Sequence, residues 1–321
     1  MNTLEGKAWR TLAAAKGIGQ QALWLIAAYL SSRGKTASWL LRNPDKLKDI
    51  LPGRRANFVM PDFGMKQEGI LKSGEKQITL IHPQHPDFPR QIMILKDRIP
   101  LPALLYATGN IALLKHPAVA IVGKRNAGTA ALVAARALAG ELAAKGVAVT
   151  SGYAAGIDTA AHLAALRAGG TTSIVLAEGI NCFHKKPEFH DHLTSDNTLV
   201  ISQFEPDARW TAYMAMTRNK LVAALSGAVV VIVSGPERDA NGRNSGTFNT
   251  GLSAQKMGIP IFVVTPGFFS DHPEGNRQLI AKGCRAWDPA AGAMPILIAL
   301  HDLAEKKPLP GQLSLFEKIC E

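Results

Sequence analysis

The run Ala118-Val119-Ala120-Ile121-Val122 leads directly into Gly123-Lys124-Arg125-Asn126, and the architecture follows from this junction. A short apolar run ending in a glycine turn reads as a buried strand that opens onto a helix. An alanine-rich helix follows to about Lys145, and a second apolar strand runs from Val147 to Thr150. That strand empties into Ser151-Gly152-Tyr153-Ala154-Ala155-Gly156-Ile157-Asp158, after which a helix carries His162. Strand, glycine turn and helix N-terminus, used twice in succession, form a phosphate-binding architecture. Glycine lets the backbone approach an anion, and the unpaired N–H groups of a helix start point at it. Neither G-x-G-x-x-G nor G-x-x-x-x-G-K-[ST] is present, which argues against dinucleotide binding and an ordinary ATPase.

Strand and helix signals keep alternating downstream. Strands are predicted at Ser173–Ala177, Leu199–Ser202, Ala228–Val233 and Ile259–Val264, with an earlier one at Ile78–Ile81. Helices are predicted at about Pro187–Thr194, Ala212–Leu225 and Thr247–Met257. Near-continuous apolar strands separated by helices imply an α/β fold: a parallel, extended Rossmann-like sheet with helices on both faces. Ligands of such sheets gather beyond the carboxyl ends of the strands. The loops there are Gly123–Asn126, Ser151–Asp158, Glu178–Asn181, Ser234–Thr247 and Thr265–Phe269.

Composition fits a chain that buries a large core. Of 321 residues, 47% are hydrophobic, enough for two domains. No apolar run approaches the roughly 18 residues of a membrane span, and Met1–Glu5 lacks the plan of a signal peptide. Cys182, Cys284 and Cys320 never form C-x-x-C, as expected of unpaired thiols in a reducing cytoplasm. The net charge is +11, and residues 1–55 hold ten Lys and Arg against three acids. A polyanion such as nucleic acid is the partner this excess suggests, and a solvated basic face is the plainer alternative.

The chain divides into a helical module (1–55), a linker (56–75), the Rossmann-like domain (76–300) and a tail (301–321). In the module, Leu12, Leu23, Ile26, Leu30, Leu40 and Leu41 suit amphipathic helices interrupted at Lys16-Gly17-Ile18-Gly19. A helix-hairpin-helix uses such a G-I-G to present backbone N–H groups to a phosphate, so Lys16, Gly17 and Gly19 are candidate DNA contacts. A tight interhelical turn without a ligand explains them equally well.

Two more constellations fall on the rim. Arg218-Asn219-Lys220 places two cations around an amide, suited to a phosphate and a base edge. Ser245-Gly246-Thr247 opens a helix, where hydroxyls and amides either cap it or seat a phosphate. Asp158 and His162, at i and i+4, read as a helix cap and a packed side chain rather than an acid–base pair. Cys182, His184, His190 and His192 are too loosely spaced for a zinc site.

Taken in order, Gly123-x-Arg125, Ser151-Gly152-x-Ala154-x-Gly156-Ile157-Asp158-x-x-Ala161-His162, Arg218-Asn219-Lys220, Ser245-Gly246-Thr247, Pro266-Gly267 and Gly275-Asn276-x-x-Leu279-Ile280-x-x-Gly283 form a series. Upstream stand Pro86-Asp87-Phe88-Pro89, Pro102-Ala103-Leu104-Leu105-Tyr106 and Gly109-Asn110. The series resembles the DNA-processing protein A (DprA, also Smf) family over roughly residues 4–288, and the module resembles its SAM or helix-hairpin-helix-like entry. The resemblance implies a homodimeric single-stranded DNA-binding protein that protects single strands and helps load a RecA-type recombinase in DNA uptake and recombination. It implies neither catalysis nor a cofactor. Carried over by position, Arg125 and Lys220 grip phosphates, Arg218 and Asn219 shape the pocket, and the Gly123 and Gly152 turns let the strand come close. Lys124, Ser151, Gly156, Ser245, Gly246 and Thr247 complete the expected DNA-binding set.

The chain also departs from the family. Three residues before Arg218, where the family usually stacks an aromatic on a base, stands Ala215. Lys124 replaces a small hydroxylic residue, and no C-terminal winged helix is expected. In the tail, Gln312-Leu313-Ser314-Leu315-Phe316 looks like a β sliding-clamp docking motif, unless it folds back onto its own domain. Two other readings stay open. One is a nucleotide-sensing or phosphoribohydrolase-like protein, although Gly242-Arg243-Asn244-Ser245-Gly246-Thr247 lacks the glutamate of those hydrolases. The other is a clamp-tethered adaptor whose DNA pocket has decayed.

Overall fold

The computed structural model describes residues 4–51 and 77–306. The expected linker and the Gln312–Phe316 motif lie outside the described residues. The first helices are α1 (Leu4–Ala14), α2 (Gln20–Ser32), α3 (Ala37–Arg42) and α4 (Leu47–Ile50). They enclose Trp9, Leu12, Leu23, Ile26, Leu30 and Leu40. Helical spacing puts Leu23, Ile26 and Leu30 on one face of α2, so the stripe becomes the core of an all-helical module. Thr36 caps α3 by accepting from Trp39 N at 3.3 Å, and Glu5 ties α1 to α3 through Ser38.

The remaining chain builds one sheet of β1 (Thr79–Ile81), β2 (Leu105–Gly109), β3 (Ala118–Val122), β4 (Ala148–Ser151), β5 (Thr172–Val175), β6 (Thr198–Ser202), β7 (Ala228–Val231), β8 (Ile261–Val264) and β9 (Arg285–Trp287). The strand order is β1-β2-β6-β5-β4-β3-β7-β8-β9. From β6 to β9 every pairing is parallel, while β2 is antiparallel to both β6 and β1. The accompanying helices are α5 (Arg90–Leu95), α6 (Thr129–Ala144), α7 (Ile157–Arg167), α8 (Ala212–Ala224), α9 (Gly246–Met257), α10 (Glu274–Ala281) and α11 (Met294–Lys306).

Strand alternation sends Val119 and Ile121 into a core under α6, α7 and α11, and Ala120 and Val122 into a second under α5, α8, α9 and α10. Both faces of the sheet are therefore covered, which is why its strands read as continuous apolar runs. Among the described residues no helix is long and apolar enough to cross a membrane.

The helix expected at Pro187–Thr194 is instead a single 3₁₀ turn, Pro187–Phe189. Phe189 is fully buried against Leu163 and Leu166, and Asn197 Nδ2 donates to His192 O at 2.8 Å, so the chain folds back rather than continuing. Asp158 is not a helix cap either. Gly156 holds the N-cap position of α7, and the Asp158 carboxylate reaches back to the preceding turn.

The helical module docks on the sheet through specific contacts. Trp9 stacks on His82 with ring centroids 5.7 Å apart, and Trp24 Nε1 donates to Leu101 O at 3.1 Å. Arg10 pairs with Glu205 at 2.9 Å, and Tyr106 Oη donates to the same carboxylate at 2.5 Å.

Candidate nucleic-acid interface

β3 lies between β4 and β7. The chain builds β4, β5 and β6 on one side and β7, β8 and β9 on the other, so the loops after β3 and β7 diverge at a crevice. An open α/β sheet binds its ligand in such a crevice. Here the crevice is edged by Gly123, Lys124 and Arg125 on one side and by Ser234, Gly235 and Ser245 on the other. Lys124 N donates to Val233 O at 3.0 Å, closing the crevice floor, while Arg125 is exposed.

Glycine is required at this rim by close approach. A Cβ at Gly123 would strike the Ile157 side chain, and one at Gly156, where φ is +76°, would strike the carbonyls of Lys124 and Arg125. A Cβ at Gly275 would meet the Gly235 carbonyl. Beside Gly275, buried Asn276 accepts from Ser234 N at 2.8 Å and donates to Ile232 O and Val264 O at 2.9 Å each. One amide thus brackets the ends of β7 and β8 and sets the Ser234–Gly235 edge.

Arg218 lies 6% exposed beneath the second turn. Its Nη1 donates to Val175 O at 3.0 Å, and its guanidinium fills the place a Gly152 Cβ would take. Asp158 Oδ2 accepts from Gly152 N at 3.1 Å and Ala154 N at 3.2 Å. Burial pushes the Asp158 carboxyl up, and Arg218 with the turn amides opposes that. Burial likewise pulls the Arg218 guanidinium down; Asp158 counters it and the nearby Arg125 adds to it. The two opposite charges offset part of each other's burial cost, although the Arg218 Nε is buried without a hydrogen-bond partner.

The remaining expected residues divide by exposure and role. Ser151 is fully buried and its hydroxyl donates to Ile121 O at 2.7 Å, so it braces β3 against β4. Asn219 Nδ2 donates to Gly246 O at 3.1 Å, linking α8 to the start of α9, and Lys220 follows half-buried on the same helix. Ser245 Oγ caps α9 by accepting from Phe248 N at 3.3 Å, with Gly246 and Thr247 half-buried beside it. In the module, Ile18 is buried while Lys16, Gly17 and Gly19 are exposed; Gly17 has φ +93° and Gly19 starts α2 without a side-chain cap.

His162 makes no pair with Asp158. Its Nδ1 donates to Thr172 Oγ1 at 2.6 Å, because the Thr172 hydroxyl proton goes to Val149 O. Burial pulls the imidazole down to about 3, so it stays neutral. Among the described residues, no three His, Cys, Asp or Glu converge to hold a metal ion.

Three features of the site show their roles only in the folded chain. Tyr153 takes φ +61° inside the turn, Lys186 packs over its ring, and Asn276 braces two strand ends from α10. Trp210 and Tyr213, at the start of α8, are 49% and 77% exposed on the carboxyl side of the sheet. A cavity of about 360 Å³ opens at the opposite, amino ends of the strands, among Phe88, Leu114, Met257 and Leu303.

An open, mostly parallel sheet with a glycine-edged crevice at its switch point defines a Rossmann-like protein. Residues 79–293 match the family profile of DNA recombination-mediator protein A, and the chain belongs to that family. The DNA processing protein DprA of Streptococcus pneumoniae is 32% identical over 186 residues, covering 57% of this chain and 63% of that protein. Protein Smf of Escherichia coli is 30% identical over 200 residues, covering 61% of this chain and 50% of that protein. The chain thus matches less than two thirds of the length of these two relatives. The solved S. pneumoniae DprA superposes with a TM-score of 0.58 at 26% identity, over 68% of this chain and 74% of that one. DNA processing protein A of Helicobacter pylori, whose structure describes a single-stranded DNA binding mode, gives 0.57 at 27% identity, over 69% and 96%.

Proposed function

We propose that this chain binds single-stranded DNA along the carboxyl rim of its sheet, as a mediator of DNA recombination. The observation that carries the reading is the exposed Arg125 at the switch point, on a loop that Gly123 and Gly156 let pack closely against the start of α7. Arg125, Lys124 and Lys220 supply charge to phosphates, and the α9 start at Ser245-Gly246-Thr247 supplies amide donors. Arg218, Asn219 and Ser151 act beneath the surface by holding the turns in place. Trp210 and Tyr213 offer the stacking faces that Ala215 lacks. The H. pylori relative's single-stranded DNA binding supports the same ligand here.

The role is one of binding rather than catalysis. Asp158 is committed to the turn amides and His162 to Thr172, which leaves neither to move a proton for a substrate. Loading of a RecA-type recombinase, a homodimeric assembly and a cytoplasmic site of action complete the proposal on the strength of the family. Docking on a β sliding clamp through Gln312–Phe316 belongs to the same proposal, tested by clamp pull-down with and without those residues.

The primary test is fluorescence anisotropy of a labelled single-stranded oligonucleotide across a salt series, for wild type and Arg125→Ala. The proposal expects tight, strongly salt-dependent binding that weakens at least about tenfold in the variant. Binding indifferent to Arg125 removes the rim assignment. Binding of a mononucleotide as tight as that of the oligonucleotide would favour a nucleotide sensor instead.

A further inference from the structure

Tyr153 sits in the middle of the Gly152–Gly156 turn with φ +61°, a region that crowds a side chain. The structure shows what holds it there. Lys186 N donates to Tyr153 Oη at 2.8 Å, and Lys186 Nζ donates to the Tyr153 carbonyl at 2.9 Å. The same ammonium donates to Thr159 Oγ1 at 2.9 Å and lies 4.3 Å from the centre of the tyrosine ring. One residue, 33 positions away in the chain, therefore grips both ends of Tyr153 and the first turn of α7. From the other side, Asp158 Oδ2 holds the amides of Gly152 and Ala154. The turn is fixed at both flanks by the carboxylate and at its centre by the lysine.

We propose that Lys186 is a positioning residue for this turn, keeping its backbone in the shape that receives a phosphate without itself touching the strand. The inference rests on the single-stranded DNA reading for its consequence but not for its geometry. Two of the three ammonium protons are already given to protein oxygens, and the tyrosine ring covers part of the nitrogen. The side chain is half-buried, and burial pulls its ammonium down while Glu188 and Asp158 support the charge. A lysine that served phosphates would keep its head free, as Arg125 does. Ordinary surface lysines are interchangeable with other polar residues, whereas this one replaces the conformational freedom that glycine would bring to position 153.

The test uses the full chain with Lys186→Met, Lys186→Arg and Thr159→Val, which keeps the lysine's charge but removes both its bond to the hydroxyl and the hydroxyl's own bond to Ala154 O. Amide hydrogen exchange over residues 152–157 is measured without DNA, and oligonucleotide affinity is measured across salt. We expect faster exchange in Lys186→Met, a smaller increase in Thr159→Val, and near-wild-type behaviour in Lys186→Arg. Affinity for a labelled oligo-dT should fall about tenfold in Lys186→Met with the slope of log K against log salt unchanged. A slope shallower by about 0.7 would make Lys186 a phosphate ligand and overturn the proposal. Unchanged exchange in Lys186→Met would overturn it as well, whatever Thr159→Val shows. If wild type fails to bind DNA, the functional reading falls while the exchange data still decide the role of Lys186.

Discussion

The Arg218 guanidinium rests against the α-carbon of Gly152, occupying the volume that any side chain at 152 would need. A buried cation thus shapes a surface turn from below, and the glycine is there because the arginine is. Gly152→Ala has to push Arg218 off Val175 O or lift the turn off Asp158. Overpacking of this kind costs about 1–3 kcal/mol. The melting temperature should fall by several degrees and oligonucleotide affinity should fall with it. Intact affinity in the alanine variant would show that the turn does not shape the binding rim.

Asn276 sits fully buried between β7 and β8, with its one acceptor and both donors engaged. Asn276→Ala strands Ser234 N, Ile232 O and Val264 O at once. Each buried unpaired group costs about 1–3 kcal/mol, so the variant should lose about 3 kcal/mol or more in a urea unfolding titration. Asn276→Asp keeps the acceptor for Ser234 N but turns a carboxylate on two carbonyls, and should be at least as damaging. A loss under about 1 kcal/mol in both variants would mean that water replaces the amide.

Much of this arrangement was legible from the chain, and the parts that were not have a common cause. β3, β4 and their glycine turns are announced by apolar runs that stop at glycine, a local pattern with a local physical reason. β9 has two exposed residues among its three, so no apolar run marks it. The segment from Pro187 reads as a helix because the burial of Phe189, which ends it after one turn, is a tertiary event. Arg218 reads as a rim cation because arginines on helices usually face water, and only the packed structure puts it beneath Gly152. Tyr153 and Lys186 lie 33 residues apart, beyond any periodicity. The sequence encodes the rim's backbone openly and hides the side chains that brace it.

Trp210 and Tyr213 bear on the missing family aromatic at position 215. Both are exposed at the start of α8, whereas Ala215 is half-buried one turn further along. Base stacking is worth about 1–3 kcal/mol per base, so Trp210→Ala and Tyr213→Ala should each weaken oligonucleotide binding by about tenfold. The salt slope should not move, because no phosphate contact is lost. Ala215→Phe should tighten binding most in the Tyr213→Ala background. Full affinity in the Trp210→Ala/Tyr213→Ala double variant would leave the rim binding through the phosphate backbone alone.

The buried histidines make stability depend on pH in a definite direction. Burial, with the neighbouring His85, pulls the His82 imidazole down to about 4, and burial pulls His162 to about 3. An unfolded histidine titrates near about 6.5. Between that value and the folded ones, the unfolded chain binds protons that the folded chain refuses, so stability falls as pH drops from about 6.5 toward 4. At pH 5 each histidine should account for about 2 kcal/mol of lost stability relative to neutral pH, from a difference of about 1.5 pH units at 1.36 kcal/mol each. His82→Phe keeps a ring against Trp9 and removes the proton site, so its unfolding free energy should change correspondingly less between pH 7 and pH 5. His162→Gln, which can still donate to Thr172, should flatten the profile by a similar amount. Denaturant titrations at pH 7, 6 and 5 measure both effects. A variant that follows the wild-type profile throughout would show that its histidine takes up a proton in the folded state, and that burial there is looser than the structure describes.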